Sequence, residues 1–325
     1  MTMTTKEREK TLERQGYHFV GTQKHSAVKT CLWLRRSIRG EGNCYKGEFY
    51  GINAHRCIQM TPSIFCNQMC LHCWRPLEAF TVGTEEEEVW VSAPVPVPVV
   101  WDAPDEIAEG CIKEQRRLIS GFKGSEKTSK TAFEEASIPK HVAISLIGEP
   151  TLYPYLDELI QEFHSRGMTT FVVTNGTNPA VLRKINPSQL YLSLNAPDEA
   201  IYRIVSQADY WSRINESLNE MGRKKSRTRT RTRTRTVIRI TCIEGLNMVN
   251  SEGYAELLKI ANPDFIEVKA YMHIGYSRRR LSRESMPAHA RVRDFAREIA
   301  EALTASGYVY TVTDESEISR VVLVS

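Results

Sequence analysis

The stretch that decides the fold is RCIQMTPSIFCNQMCLHCWRP, residues 56–76. Its beginning, Arg56 to Met60, has the length and apolar content of a short strand. The loop that follows contains three cysteines spaced CxxxCxxC, namely Cys66, Cys70 and Cys73. A ligand loop directly after the first strand is typical of a (β/α) barrel, whose functional residues lie at the carboxyl ends of the strands.

Three thiolates at this spacing can bind one iron–sulfur cube and leave its fourth iron without a protein ligand. A small molecule can then occupy the open iron. The alternative is a structural zinc site, which needs a fourth ligand such as His72 or Cys57 to complete a tetrahedron. The barrel pattern favours the cluster, and His72 is then expected to shield it rather than to bind a metal.

After residue 140 the chain alternates short β-rich runs with amphipathic helices, which predicts an α/β fold with a parallel sheet. The predicted strands are His141–Leu146, Thr169–Thr174, Leu190–Leu194, Val237–Ile243, Phe265–Ala270 and Tyr308–Thr313. The predicted helices are Tyr155–Arg166, Pro179–Ile185, Tyr210–Met221, Glu252–Ala261 and His289–Ser306. Together with the first strand they predict a partial or complete (β/α) barrel of six or seven units.

Residues 77–140 interrupt this alternation and are interpreted as an insertion that contains one helix, Pro104–Phe122. The acidic run Glu85–Glu88 is expected in a solvated turn. The polar stretch Lys123–Ser137 is expected to be a flexible loop.

Composition excludes disordered, collagen-like and disulfide-stapled classes: the 325 residues are 41% hydrophobic and 25% charged. The first residues are too charged for a signal peptide. Prolines break the longest apolar stretch, Val89–Trp101, so no membrane span is expected. We therefore expect a cytoplasmic protein, in which the eight cysteines are metal ligands or free thiols rather than disulfides.

The net charge of +4 comes from one segment, Arg223–Thr236, which holds eight basic residues and no acid; the other residues sum to 4 − 8 = −4. The segment ends in the alternating run Arg227–Thr236. This run is either a solvated, exposed repeat or a strap that binds nucleic-acid phosphates. Two further basic regions, Lys24–Arg39 and Ser277–Arg297, favour a polyanionic partner.

A second set of three cysteines, Cys31, Cys44 and Cys57, lies upstream of the first at intervals of thirteen residues. By itself this spacing fits core cysteines as well as ligands. Beside a cluster loop, three more thiols are sufficient for a second iron–sulfur site with one open iron. Cys111 and Cys242 lie on apolar faces of predicted elements and are expected in the core.

The motifs resemble the archaeal-type tRNA 4-demethylwyosine synthases, which are radical S-adenosylmethionine (SAM) enzymes. The resemblance covers nearly the whole chain. Besides residues 56–76 it includes CYKGEFYGI (44–52), ISLIGEPTLYPYLDELI (144–160), FVVTNGTNP (171–179), QLYLSLNAPDEAIY (189–202), RITCIEGLNM (239–248) and DFIEVKAYMHIGYSRRRL (264–281).

The resemblance implies a partial (β/α)6-type radical SAM barrel with an N-terminal cluster-binding extension, two 4Fe-4S clusters and SAM. Cys66, Cys70 and Cys73 would hold the cluster that binds SAM, and Cys31, Cys44 and Cys57 the other. The implied reaction joins two carbons of pyruvate to N1-methylguanosine-37 of phenylalanine tRNA and closes a third ring. Lys46, two residues after Cys44, would contact pyruvate as a Schiff base or as an ion pair.

Polar residues that follow three successive predicted strands are expected to bind SAM, although each could instead cap the next helix. They are Gly148, Glu149, Thr174, Asn175, Ser193 and Asn195. Substrate contacts are expected at the sixth strand, with core or capping roles as the alternative. The residues concerned are Lys269, Tyr271 and His273.

The expected domains are an extension over 1–56, the barrel over 57–313 and a C-terminal strand over 314–325. We expect a monomer that takes electrons from a separate donor protein and has no membrane partner. Two other functions stay open: a radical SAM enzyme with another substrate such as a peptide, and a non-catalytic zinc-dependent RNA-binding protein.

Overall fold

The computed structural model describes residues 5–76, 100–226 and 234–325. Its ten strands form one sheet in chain order except at the carboxyl end, where β10 lies between β8 and β9. The strands are β1 His18–Val20, β2 Ser26–Val28, β3 Cys57–Thr61, β4 His141–Ile144, β5 Thr169–Thr174, β6 Gln189–Ser193, β7 Arg235–Cys242, β8 Phe265–Ala270, β9 Val312–Ser316 and β10 Val321–Val324. This confirms the predicted α/β class.

Six consecutive strands, β3 to β8, are parallel, and helices connect them. The helices of the described ranges are α1 Thr5–Arg14, α2 Leu32–Ile38, α3 Tyr45–Tyr50, α4 Pro104–Ile119, α5 Lys130–Ala136, α6 Leu156–Ser165, α7 Pro179–Lys184, α8 Glu199–Ser206, α9 Trp211–Ser226, α10 Ser251–Ala261 and α11 His289–Ala305. Because β3 pairs with β2 and β8 with β10, the six strands form a partial barrel that stays open between β3 and β8.

The two faces of each parallel strand have different neighbours. Outward residues such as Ile58, Ile144 and Val268 are fully buried and belong to the main apolar cluster, which includes residues of the covering helices. Inward residues alternate with them and surround a lumen. Several of these inward residues are polar or charged, including Arg239 in β7 and Glu267 in β8.

Two expectations for the chain are wrong. The segment Tyr308–Thr313 does not add a parallel strand; the chain continues into β9, which pairs antiparallel with β10, and β10 pairs antiparallel with β8. The stretch Lys123–Ser137 contains helix α5, which begins after Ser129, whose side chain accepts a hydrogen bond from Ala132 N. Sequence reasoning missed α5 because it weighed the polar composition above this capping signal.

Part of the predicted insertion, including Glu85–Glu88, and residues 227–233 of the alternating basic run lie outside the described residues. The end of that run is ordered: Thr234 is buried and donates to Pro187 O, and Arg235 begins β7. The boundaries expected for the three domains stay a prediction. No helix in the described ranges is long and apolar enough to cross a bilayer.

Candidate active site

The loop between β3 and residue 76 lies at the carboxyl end of the barrel and holds Cys66, Cys70 and Cys73, all half-buried free thiols. Burial raises the pKa of Cys66 to about 12, and the neighbouring carboxylate of Glu149 adds to the shift. Burial also raises the pKa of Cys70 well above its usual range, and the other two thiols raise it further. The three sulfurs are therefore close enough to interact electrostatically.

Backbone contacts from neighbouring loops hold this cysteine loop in place. Glu149 N donates to Phe65 O at 2.6 Å, and Gly148 lies so close that a Cβ atom there would be 2.2 Å from Ser63 O. From the loop after β8, the Arg280 guanidinium donates to the carbonyls of Leu71 and Cys73. The loop is thus fixed by residues that follow both β4 and β8.

His72 fits a role beside a bound group. Burial, followed by the charge of Arg280, lowers the pKa of His72 to about 4, so the ring is neutral. Its Nδ1 atom is buried and has no hydrogen-bond partner in the described part of the chain. Buried polar atoms are normally paired. An unpaired His72 Nδ1 is expected if the site is shaped to receive an iron–sulfur cluster and a ligand.

The side chain of Glu149 links the ends of β4 and β5 through hydrogen bonds. Its Oε1 accepts from Thr151 N, from the Thr151 hydroxyl at 2.7 Å and from the Thr174 hydroxyl at 2.6 Å. Within the described ranges its Oε2 accepts only from Asn175 N, at 2.7 Å, which leaves a lone pair for a cationic ligand. Burial raises the pKa of Glu149, and these hydrogen bonds oppose the shift. Its binding of SAM stays a prediction.

The other residues expected to bind SAM follow β5 and β6. The Asn175 amide nitrogen lies 2.9 Å from Asn67 Oδ1 and 3.9 Å from Cys66 Sγ, so it joins the cysteine loop to β5. Asn195 Oδ1 accepts from Thr241 N at 2.8 Å and joins β6 to β7. Ser193 ends β6 on the inward face, and its hydroxyl makes no hydrogen bond to any residue that the structure describes. Their roles toward SAM also stay predictions.

The second triad lies at the opposite end of the barrel. Cys57 is the first residue of β3, Cys44 is the residue before α3, and Cys31 precedes α2, where its Sγ accepts from Leu34 N at 3.2 Å. Burial raises the pKa of Cys57 to about 12, with Cys31 and Cys44 adding to the shift, so these thiols are close enough to interact electrostatically. This triad therefore sits at the amino end of β3, opposite the strand ends that carry the first triad, and its binding of a cluster stays a prediction.

Helix α3 enters the lumen because two of its tyrosines bond to a carboxylate inside the barrel. Glu267 is fully buried and accepts from the Tyr45 hydroxyl at 3.1 Å and the Tyr50 hydroxyl at 2.8 Å. Arg239 donates to its Oε2 through two nitrogens, at 2.9 and 2.6 Å. Burial by itself would raise the pKa of Glu267, but Arg239 and Lys46 outweigh burial and leave the pKa lowered.

Lys46 and Lys269 are amines that face the lumen. Lys46 Nζ lies 4.5 Å from the ring centre of Tyr191 and 5.4 Å from that of Phe171, and it makes no hydrogen bond within the described ranges. Burial, followed by the charge of Arg239, lowers its pKa. Lys269 Nζ donates to Ser319 O at 2.5 Å and is therefore already engaged. Burial lowers the pKa of Lys269 to about 8.

Tyr271 and His273 lie beyond β8. Tyr271 is almost fully buried, and its hydroxyl bonds to His273 Nδ1 and to the Ser277 hydroxyl, each at 3.1 Å. This placement favours a bracing role for Tyr271 in the loop that holds Arg280. Substrate contact by either residue stays a prediction.

Among the described residues no three His, Cys, Asp or Glu side chains converge closely enough to hold one metal ion. Whether the thiols bind iron–sulfur clusters, with His72 beside one of them, stays a prediction. A cube of four irons needs thiols spread around it, each on a different iron.

Sequence reasoning missed four residues of the lumen: Tyr45, Tyr50, Arg239 and Glu267. One signal was available. In FIEVKA the charged residues alternate with apolar ones in a strand of a barrel, which indicates that they face the lumen and need partners there.

Comparison with known proteins identifies two matched families. Residues 60–258 match the Radical SAM superfamily and residues 260–325 match Wyosine base formation. The S-adenosyl-L-methionine-dependent tRNA 4-demethylwyosine synthase of Pyrococcus abyssi is 45% identical over 96% of this chain and 86% of its own length. The enzyme of that name from Methanocaldococcus jannaschii is 42% identical over 97% of this chain and 94% of its own.

Two solved structures resemble the whole chain. A structure of TYW1 with a lysine-pyruvate adduct bound superposes with a TM-score of 0.83 at 39% identity and covers 99% of this chain and 96% of that one. A crystal structure of archaeal TYW1 gives a TM-score of 0.75 at 36% identity, with the same coverage.

The first prediction concerns the contact between Gly148 and the cysteine loop. Gly148 has φ +72°, and a Cβ atom there would overlap backbone atoms of residues 63–65, so Gly148→Ala must displace the loop. We expect a loss of about 3 kcal/mol in the free energy of unfolding and a loss of iron binding. Gly167→Ala is the matched control, because Gly167 has φ +69° with open space around it and should lose only about 1 kcal/mol. Urea unfolding and iron content after reconstitution measure both; equal losses would contradict the role of the contact.

The second prediction concerns the buried ion pair. Glu267→Gln leaves the Arg239 charge without its partner and should lower the free energy of unfolding by about 3 kcal/mol or more. Because the folded-state pKa of Glu267 is lowered, the pair stabilises the fold at neutral pH and loses this effect as the pH falls below 4.5. Between pH 7 and pH 4, the free energy of unfolding of Glu267→Gln should therefore fall by less than that of the unchanged protein.

Glu256→Gln serves as the control for this pair. Glu256 is 66% exposed and lies 2.6 Å from Lys259, so its removal should change the free energy of unfolding by less than about 1 kcal/mol. Denaturant titrations at pH 7 and pH 4 compare the two variants. Similar stabilities would mean that the Arg239–Glu267 pair does not anchor α3.

Proposed function

Because the chain belongs to the tRNA 4-demethylwyosine synthases of the radical SAM superfamily, we propose that it condenses N1-methylguanosine-37 of phenylalanine tRNA with pyruvate. The chain is a radical SAM enzyme of wyosine formation that uses SAM, an iron–sulfur cluster and a tRNA substrate. The observation that supports the proposed reaction is Lys46, an amine inside the lumen that makes no hydrogen bond to a described residue, with cysteine triads at both ends of β3.

Cys66, Cys70 and Cys73 would hold the cluster whose open iron binds SAM, beside Glu149 and Asn175. When bound, these groups supply the one-electron cleavage that generates a carbon radical. Cys31, Cys44 and Cys57 would hold a second 4Fe-4S cluster. The triads lie beyond the two ends of a five-residue strand, on the order of 15 Å apart. One lumen can therefore receive a base from its carboxyl end and a keto acid beside α3.

Lys46 would bind pyruvate covalently. A neutral Nζ attacks the keto carbon, water leaves, and a carbon–nitrogen double bond forms. The lowered pKa of Lys46 raises the neutral fraction of this amine at physiological pH, and the rings of Tyr191 and Phe171 keep water from it. The relative described as TYW1 with a lysine-pyruvate adduct supports this assignment. Lys269, held by Ser319, would supply positive charge for the carboxylate.

The target base must leave its stack to enter the lumen. A base of a single-stranded anticodon loop can be splayed out without opening a helix, which suits a pocket at the carboxyl ends of the strands. The chain would work as a monomer in the cytoplasm with a separate protein as electron donor.

The third prediction tests this function directly. Methylated phenylalanine tRNA incubated anaerobically with the reconstituted protein, SAM, pyruvate and reductant should acquire two carbons at position 37, as measured by mass spectrometry of the nucleosides. Pyruvate labelled at C2 and C3 should transfer both labels, and tRNA with unmethylated guanosine should stay unchanged. No gain in mass on the methylated tRNA would reject the proposal.

The fourth prediction concerns Lys46. Lys46→Ala should reduce product formation at least 100-fold and abolish borohydride trapping of pyruvate on the protein, while SAM cleavage continues. Lys46→Arg keeps the charge without an amine that can form an imine, and should also fail to trap pyruvate. Lys24→Ala, which removes a surface lysine paired with Glu9, is the control and should trap as the unchanged protein does. Product formation by Lys46→Arg at the normal rate would favour an ion pair over the covalent bond.

A further inference from the structure

Trp74, directly after Cys73, is held rigidly while a large part of its ring stays accessible. The guanidinium carbon of Arg75 lies 3.5 Å from the centre of the indole ring, so Arg75 covers one ring face. Yet Trp74 is 38% exposed, which is unusual for the largest side chain of a site otherwise made of half-buried thiols. Since Arg75 covers one face, the exposed area must include the other face or the ring edges.

The support beneath this ring is itself fixed. Arg75 is only 6% exposed, and its guanidinium donates to the Tyr17 hydroxyl and, at 3.4 Å, to Ser145 O after β4. From the other side of the barrel opening, Tyr276 N donates to Trp74 O at 3.1 Å. Gly275 packs so closely that a Cβ atom there would lie 2.4 Å from the same carbonyl. Trp74 is therefore held by Arg75, which is anchored to the end of β4, and by the loop after β8, which contacts the Trp74 backbone.

Two exposed arginines lie in the same short turn as Gly275 and Tyr276, which contact the Trp74 backbone. Arg278 and Arg279, in the same loop as Gly275, are exposed and make no ion pair with any residue that the structure describes. The Arg279 guanidinium also lies 4.6 Å from the ring centre of Tyr276. An aromatic surface with exposed arginines in the adjoining loop matches the arrangement that binds single-stranded nucleic acid, in which a ring stacks on a base and cations contact the phosphates.

We propose that Trp74 is a stacking platform for a nucleobase of the tRNA anticodon loop, with Arg278 and Arg279 contacting the flanking phosphates. Stacking does not depend on the hydrogen-bonding edge of the base. The platform would therefore hold the anticodon loop next to the cysteine loop of the protein without selecting a particular RNA sequence. The inference rests on the proposed function, because it takes the anticodon loop as the ligand.

The fifth prediction separates stacking from charge by binding measurements on the reconstituted protein with SAM and the methylated anticodon stem-loop. Trp74→Leu should weaken binding roughly 5- to 100-fold, and Trp74→Phe, which keeps an aromatic face, should recover most of the affinity. The slope of log Kd against log salt should stay the same in both. The double variant Arg278→Ala with Arg279→Ala should instead reduce that slope by about 1 to 2.

Crosslinking tests the contact without any variant. Ultraviolet irradiation of the unchanged complex, followed by peptide mapping, should join an anticodon-loop nucleotide to the peptide that contains Trp74. Leu and Phe variants that bind equally well, or crosslinks confined to other peptides, would overturn the proposal. A failure of the proposed function is distinct: the unchanged protein would then give no product from the methylated tRNA, whatever the affinity of the Trp74 variants.

Discussion

The interaction on which the site depends is the carboxylate of Glu267 inside the barrel. A buried charge is costly unless it is paired and fully hydrogen-bonded, and Glu267 meets both conditions through Arg239, Tyr45 and Tyr50. Two of these partners belong to α3, so satisfying the carboxylate also brings the N-terminal extension into the lumen. The positions of Cys44 and Lys46 follow from that requirement, since both lie within two residues of Tyr45.

At the other end of the barrel, too, one buried carboxylate residue connects several elements. The side chain of Glu149 satisfies donors from two strand ends, while its backbone nitrogen bonds to the cysteine loop. The same residue thus fixes the loop that presents three thiols and keeps one carboxylate oxygen partly available. Rigid support of this kind is what a site for a reactive cofactor needs, because small displacements of positioning groups have large effects on rate.

Sequence reasoning could predict what depends on local spacing. The cysteine loop after β3, the parallel strands β4 to β8 and the helices between them except α8, which was not predicted, are each encoded within a few consecutive residues. It could not predict the position of α3, because that position depends on hydrogen bonds from Tyr45 and Tyr50 to Glu267. These partners are separated in the chain by 222 and 217 positions, respectively. The edge hairpin of β9 and β10 was also missed, because a short β-rich run in the sequence does not indicate whether the strand pairs parallel or antiparallel with its neighbour.

The contacts of α3 with the inside of the barrel have a consequence for folding. The extension is synthesised first, yet its partner in β8 emerges about 220 residues later, which at ribosomal rates of roughly 5–20 residues per second is a delay of some 10 to 40 seconds. During that time the barrel does not yet enclose Tyr45, Tyr50 and the thiols of Cys31, Cys44 and Cys57. Contacts so distant in sequence also slow the search for the native topology. The segment that later lines the interior of the enzyme is thus open to oxidation and aggregation during this interval.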